Sequence, residues 1–139
     1  MFVVLVRHAE PVAGGTDPGL STVGQHRAAT LAKMLAETGI TAILTSDLRR
    51  TKETAKPLAT LLSIAPVVIA DDLSAAAAHI KAAGKRVLVV GHTNTVPPII
   101  EALRGPANVV IQANEFDRLF ALQVPVRGAA SLLTMRYGV

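Results

Sequence analysis

Three short apolar runs, residues 2–6 (FVVLV), 41–45 (TAILT) and 86–90 (RVLVV), most constrain what this chain can fold into. Each is too short for a buried helix and rich in β-branched residues, so each reads as a strand covered on both faces, as parallel strands are. The stretches between them carry helical spacing. From residue 21 to 37, Val23, Ala28, Leu31, Met34 and Leu35 recur at roughly helical intervals, with Gly39 as a stop signal. Ser46 or Asp47 can cap a second helix running through Leu48, Thr51, Ala55, Leu58 and Leu61. Pro57 lacks the backbone N–H that a helix interior uses, so it is expected to kink or split that segment. Residues 66–69 form a further short strand, and Asp72 opens an alanine-rich helix that ends before Gly84. A last helix runs from about Asn94 or Val96 to Leu103, with Pro97 and Pro98 in the first turn, where proline is tolerated.

Strands that alternate with helices are joined by crossover connections, which predicts a single-domain three-layer α/β/α fold with a mainly parallel sheet and helices on both faces. Residues 118–124 and 131–136, linked through Pro125 and Gly128, read as a closing hairpin that adds at least one C-terminal antiparallel strand. The 139 residues are expected to form one domain over 1–139. At 50% hydrophobic and 17% charged, the chain can bury a core without disulfides or a structural metal. It has no cysteine, which excludes thiol catalysis, iron–sulfur clusters and thiolate zinc sites.

Met1 leads directly into the first apolar run, which Arg7 stops, so neither a basic leader nor a long hydrophobic export segment is present and a cytoplasmic location is expected. No run approaches the ~18 apolar residues that span a bilayer, so no membrane partner is expected. Lys+Arg number 14 and Asp+Glu 10, a formal charge of +4, yet aromatics are only 3%, too few for the stacking platforms of single-stranded nucleic-acid binders. A small anionic ligand suits this balance better than nucleic acid.

In an open α/β sheet, ligands bind beyond the carboxyl ends of the strands. Three strand ends here carry chemistry: Arg7-His8-Ala9-Glu10, Ser46-Asp47-Leu48-Arg49-Arg50 and Gly91-His92-Thr93-Asn94. Singly, a histidine after a strand is an ordinary packed residue, and Arg49 and Arg50 could be a solvated helix face. Together they place two histidines and up to three arginines at homologous strand ends. That set can hold a phosphoryl group, because guanidinium forks match its oxygens and a neutral imidazole can attack phosphorus.

The same segments resemble the histidine phosphatase superfamily, which includes cofactor-dependent phosphoglycerate mutases and small phosphohistidine phosphatases. Arg7-His8-Ala9-Glu10 resembles its Arg-His-Gly/Ala-Glu signature. Leu20-Ser21 with Gly24 and Ala28 is similar to its first helix start, with Arg27 in place of the usual Gln. The run from Ser46 to Ala55 resembles Ser-x-Leu-x-Arg-Ala-x-Gln-Thr-Ala, which selects Arg50 over Arg49, and Val89-Val90-Gly91-His92 resembles the second histidine motif. The likeness spans residues 3 to about 100 and is nearest the small phosphohistidine phosphatase branch.

The resemblance implies a two-step transfer in which His8 becomes phosphorylated and water attacks the phosphohistidine. Arg7, Arg50 and His92 would bind the phosphoryl oxygens, with Thr93 beside them, and neither metal nor other cofactor is implied. For His8 to attack through one nitrogen, the other is expected to donate to a backbone carbonyl near the loop start. The mutases carry a polar insertion after the third strand bearing a Glu that protonates the leaving group. Here Asp71 and Asp72 are the acids in that region, either a proton donor or simply a helix cap. The substrate is then a phosphorylated small molecule or a phosphohistidine protein. Alternatives are a non-catalytic phosphate or phosphoprotein-binding module and a phosphoglycerate mutase-type phosphotransferase.

Other marks have plainer readings. Gly14 and Gly19 with Ser21 nearly fit a phosphate-binding loop, but Leu20 occupies the lysine position. His26 and His79 are expected on the surface, Glu10 either orders the loop behind Arg7 or is solvated, and the turn 115–118 can bring an acid near the pocket.

Overall fold

Strand β1 (Phe2–Arg7) lies inside the sheet, hydrogen-bonded in parallel to β4 (Arg86–Gly91) on one side and antiparallel to β5 (Arg118–Gln123) on the other. A computed structural model describes residues 1–69 and 73–138. Among these, the sheet has six strands in the order β3-β2-β4-β1-β5-β6, with β2 (Ala42–Thr45), β3 (Val67–Val68) and β6 (Ser131–Arg136) completing it. The chain is a mixed α/β fold whose first four strands are parallel, with an antiparallel hairpin closing the far side. Alternation along each strand divides the core in two. Val3, Leu5, Val87 and Val89 pack against Ile80 of α3 (Leu73–Ala83) and Ile99, Ile100 and Leu103 in and after α4 (Val96–Ala102). Val6, Leu88 and Val90 face Leu31 and Leu35 of α1 (Thr22–Leu35) and Ala55 and Leu58 of α2 (Arg49–Leu62). Helices therefore cover both faces, as the alternating pattern predicts.

The local chemistry departs from the sequence reading in five places. In α1 the buried stripe is Gly24, Arg27, Ala28, Leu31, Ala32 and Leu35. Val23 and Met34 lie on the flank of that stripe and are 56% and 44% exposed. The helix runs along α2 and the loop after β1, so a small residue, Gly24, faces inward where the apolar pattern favoured Val23: a Cβ on Gly24 would stand 2.1 Å from the Glu10 carbonyl oxygen. Helix α2 passes unbroken through Pro57. The proline removes one bond, but Ala55, Leu58 and Ala59 are held in the core on both sides of it, and tertiary packing supplies most helix stability. Leu61, expected on the apolar stripe, is exposed.

The start of α2 is not capped by Ser46 or Asp47. Its N-cap is Leu48, without a side-chain hydrogen bond, and the Arg49 N–H instead donates to Asp17 Oδ1 at 2.9 Å. Asp47 pairs with Lys52, and Ser46 turns toward β4. Strand β3 is shorter than expected because it is an edge strand paired only to β2, with both valines exposed. Pro97 and Pro98 occupy the first turn of α4, as expected.

Candidate active site

The register of β1 on β4 pairs Arg7 with Gly91, so His8 and His92 leave adjacent strand ends side by side. The His8 N–H continues the ladder by donating to the Gly91 carbonyl at 2.8 Å, and the two imidazoles stand 5.3 Å apart, centroid to centroid. Strand β2, on the other side of β4, delivers Ser46 and then Arg50, the second residue of α2.

His8 is buried, and its Nδ1 lies 2.8 Å from the Ala9 carbonyl. A carbonyl only accepts, so the proton sits on Nδ1 and Nε2 keeps its lone pair. The loop that supplies this carbonyl is clasped from α2: Ala9 N–H donates to Thr54 Oγ1 at 2.8 Å, and that hydroxyl donates to the Arg50 carbonyl at 2.8 Å. Burial is the largest influence on His8. With the charges of Arg7, His92 and Arg50 it outweighs the Ala9 carbonyl and brings the pKa down to about 4. His8 is therefore a neutral imidazole at neutral pH.

Arg7 is partly buried and anchored by the segment before β5. Its Nη1 donates to the carbonyls of Ala113 and Glu115 at 2.9 and 2.8 Å, and its guanidinium lies 3.9 Å from the centroid of the Phe116 ring. Burial first, and the charge of Arg50 second, lower the Arg7 pKa, so two cations share a region poor in solvent. An anion between them relieves that repulsion. Arg50 is partly exposed, whereas Arg49 is exposed and paired with Glu53 at 2.6 Å. Thr93 is partly exposed in the turn after His92. The structure thus gathers Arg7, His8, Arg50 and His92, while Asp71 and Asp72 lie outside the described residues.

Glu10 does not remain solvated. Arg27 meets its carboxylate at 2.8 and 3.1 Å and also donates to the Tyr137 carbonyl, tying the loop after β1 to the chain beyond β6. Burial alone would raise the Glu10 pKa, but the hydrogen bonds and charge of Arg27 outweigh it and leave the carboxyl below its usual value. The turn at 115–118 brings no acid to the histidines. The Glu115 carboxylate is engaged by Arg118 and Arg136 and that of Asp117 by Arg136, so what reaches Arg7 is two backbone carbonyls and the Phe116 ring. His26 and His79 are exposed. Among the described residues no three His, Cys, Asp or Glu side chains cluster as metal ligands, and no helix is long and apolar enough to cross a membrane.

Sequence reasoning assigned no role in the site to Phe116, Thr51, Thr54 or the hydroxyl of Ser46. Thr51 and Thr54 carried a usable signal, since they stand three apart on the face of α2 that also holds Ala55 and Leu58.

A sequence model of the histidine phosphatase superfamily (branch 1) matches residues 3–79, more than half of the chain. The chain belongs to this superfamily. Similar relatives include the probable phosphoglycerate mutases GpmB of Yersinia enterocolitica, 44% identical over 64 residues, and of Serratia proteamaculans, 39% identical over 64 residues. Each match covers 41% of this chain and 30% of the relative, so it spans less than a third of those proteins' length. The fold is shared with solved structures of phosphatases across nearly the whole chain. The protein histidine phosphatase SixA complexed with tungstate superposes with a TM-score of 0.76 at 18% identity, covering 98% of this chain and 97% of that one. The alpha-ribazole phosphatase from Shigella flexneri superposes with a TM-score of 0.74 at 16% identity, covering 100% and 99%.

Proposed function

We propose that this member of the histidine phosphatase superfamily is a metal-independent phosphatase that hydrolyses a phosphomonoester or phosphohistidine through a phosphohistidine on His8. The observation that carries the reading is the His8 ring: it is buried and neutral, its Nδ1 proton is held by Ala9, and Arg7, Arg50 and His92 surround it. In the first step the Nε2 lone pair attacks phosphorus, the bond to the leaving oxygen or nitrogen breaks, and that atom takes a proton. In the second, water attacks phosphorus and gives up a proton, the N–P bond breaks with its electrons returning to Nε2, and phosphate departs. Arg7, Arg50 and His92 hold the phosphoryl oxygens, with Thr93 beside them, and supply the preorganised positive charge on which such transfers depend.

Asp72 or Asp71 is the proposed proton donor, required for poor leaving groups and dispensable for the imidazole of a phosphohistidine. Asn variants of each, compared on good and poor leaving groups, identify it by a defect confined to the poor one. The hydrolase reading is preferred to a mutase because only four residues, 69–72, separate β3 from α3, leaving no insertion there to shield a phosphoenzyme from water. We also take residues 1–139 as one domain that works in the cytoplasm.

The test is phosphate release from p-nitrophenyl phosphate and from phosphohistidine, in EDTA, by wild type and His8→Ala. Release by wild type alone supports the proposal. Equal rates for the two proteins overturn the mechanism, and phosphate binding without release from either substrate points to a binding module.

A further inference from the structure

A chain of hydroxyl groups runs beneath the second histidine. Ser46 Oγ lies 2.8 Å from His92 Nε2 and 2.9 Å from Thr51 Oγ1. Thr51, fully buried, lies in turn 2.9 Å from the Leu48 carbonyl and 3.0 Å from the Ser46 carbonyl. Two hydroxyl protons must serve these four contacts, and carbonyl oxygens cannot donate. If Thr51 gives its proton to Ser46 Oγ, both carbonyls face its lone pairs at hydrogen-bond distance with no proton between them. If Thr51 instead shares its proton between the two carbonyls, Ser46 donates to Thr51 Oγ1 and has only lone pairs left for His92. Every contact is then a hydrogen bond, and the last donor in the chain is His92 Nε2–H.

We infer that Ser46, locked by Thr51, is a positioning residue that fixes the second histidine of the site in its Nε2–H form and sets the tilt of its ring toward His8. The two histidines are then complementary. His8 keeps its proton on Nδ1 and reacts through Nε2, whereas His92 keeps its proton on Nε2, directed at Ser46. The backbone sets the first choice, through Ala9, and side-chain hydroxyls set the second.

Only the rate arm of the test rests on the phosphatase reading; the tautomer can be read without turnover. In the 15N-labelled protein, two-bond proton–nitrogen correlations of His92 are recorded at a pH where its ring is neutral, for wild type, Ser46→Ala and Ser46→Thr. Wild type and Ser46→Thr are expected to show a protonated Nε2, and Ser46→Ala a shift of population toward Nδ1–H. With p-nitrophenyl phosphate, Ser46→Ala should lower kcat by roughly five- to tenfold, the scale of one neutral hydrogen bond, with little change in KM, and Ser46→Thr should restore it. An Nδ1–H tautomer in wild type overturns the inference even if the enzyme is fully active. So does a Ser46→Ala protein whose His92 spectrum and kcat match wild type. A wild-type protein with the Nε2–H pattern but no turnover leaves the positioning intact and refutes the phosphatase instead.

Discussion

The guanidinium of Arg7 stacks on the ring of Phe116 at 3.9 Å, and the same ring meets His8 edge-on at 6.0 Å between centroids. One aromatic side chain thereby contacts both the guanidinium of Arg7 and the imidazole of His8 in the candidate site. Replacing it separates the two contacts. Phe116→Leu keeps apolar cover but removes the π face, and kcat/KM should fall by about 0.5–2 kcal/mol of transition-state stabilisation, the range of a cation–π contact. Phe116→Ala also admits water, so the His8 pKa, read by NMR titration, should climb from about 4 toward its ordinary value.

Adjacent arginines on α2 should behave differently. Arg50→Ala removes a cation that acts on both Arg7 and His8 and should cost roughly 2.7–4 kcal/mol of barrier, as loss of one oxyanion donor does. Arg49→Ala breaks only an exposed i,i+4 pair with Glu53 and should stay within about 0.5 kcal/mol of wild type in activity and stability. Steady-state kinetics on the two variants test the assignment directly.

Burial of neutral His8 makes stability depend on pH. Its folded pKa of about 4 lies below the unfolded value of ~6.5, so between these values the unfolded chain binds more protons and stability rises with pH. The contribution is complete above pH ~6.5, is lost progressively as pH falls to about 4, and amounts to at most on the order of 3 kcal/mol. Urea unfolding of wild type against His8→Gln across that window should show the steeper slope in wild type, the difference being the His8 contribution.

Arg27 should prove structural. Arg27→Gln leaves the half-buried Glu10 without its charge partner and releases the Tyr137 carbonyl, a loss of about 2–3 kcal/mol where a buried pair costs 3–5. In a double-mutant cycle with Glu10→Gln, most of that penalty should disappear from the second substitution.

The parts of this molecule legible in the sequence are those that depend on neighbouring residues. The β-branched runs gave the parallel strands, and the polar groups just past them, Arg7, His8 and His92, were legible because strand ends are where such a sheet exposes chemistry. Arg50 was told from Arg49 only by the resemblance of residues 46–55 to the family motif, since both stand in the first turn of α2. What stayed hidden depends on partners far along the chain: Arg7 reaches carbonyls 106 and 108 residues away, and Arg27 one 110 residues away. No periodicity encodes such a meeting. Ser46 was misread for a related reason, since a serine before a helix is normally a cap and only the neighbouring β4 shows that its hydroxyl has another use.

The spacing of the two histidines is a dimension of the sheet, because the residues before them, Arg7 and Gly91, are paired in a buried parallel ladder. Sites assembled from loops can drift apart by local opening while the domain stays folded. Here no local opening separates His8 from His92 without tearing β1 from β4, which is the centre of the core. On heating, the spacing of His8 and His92 therefore persists for as long as the central sheet stays paired.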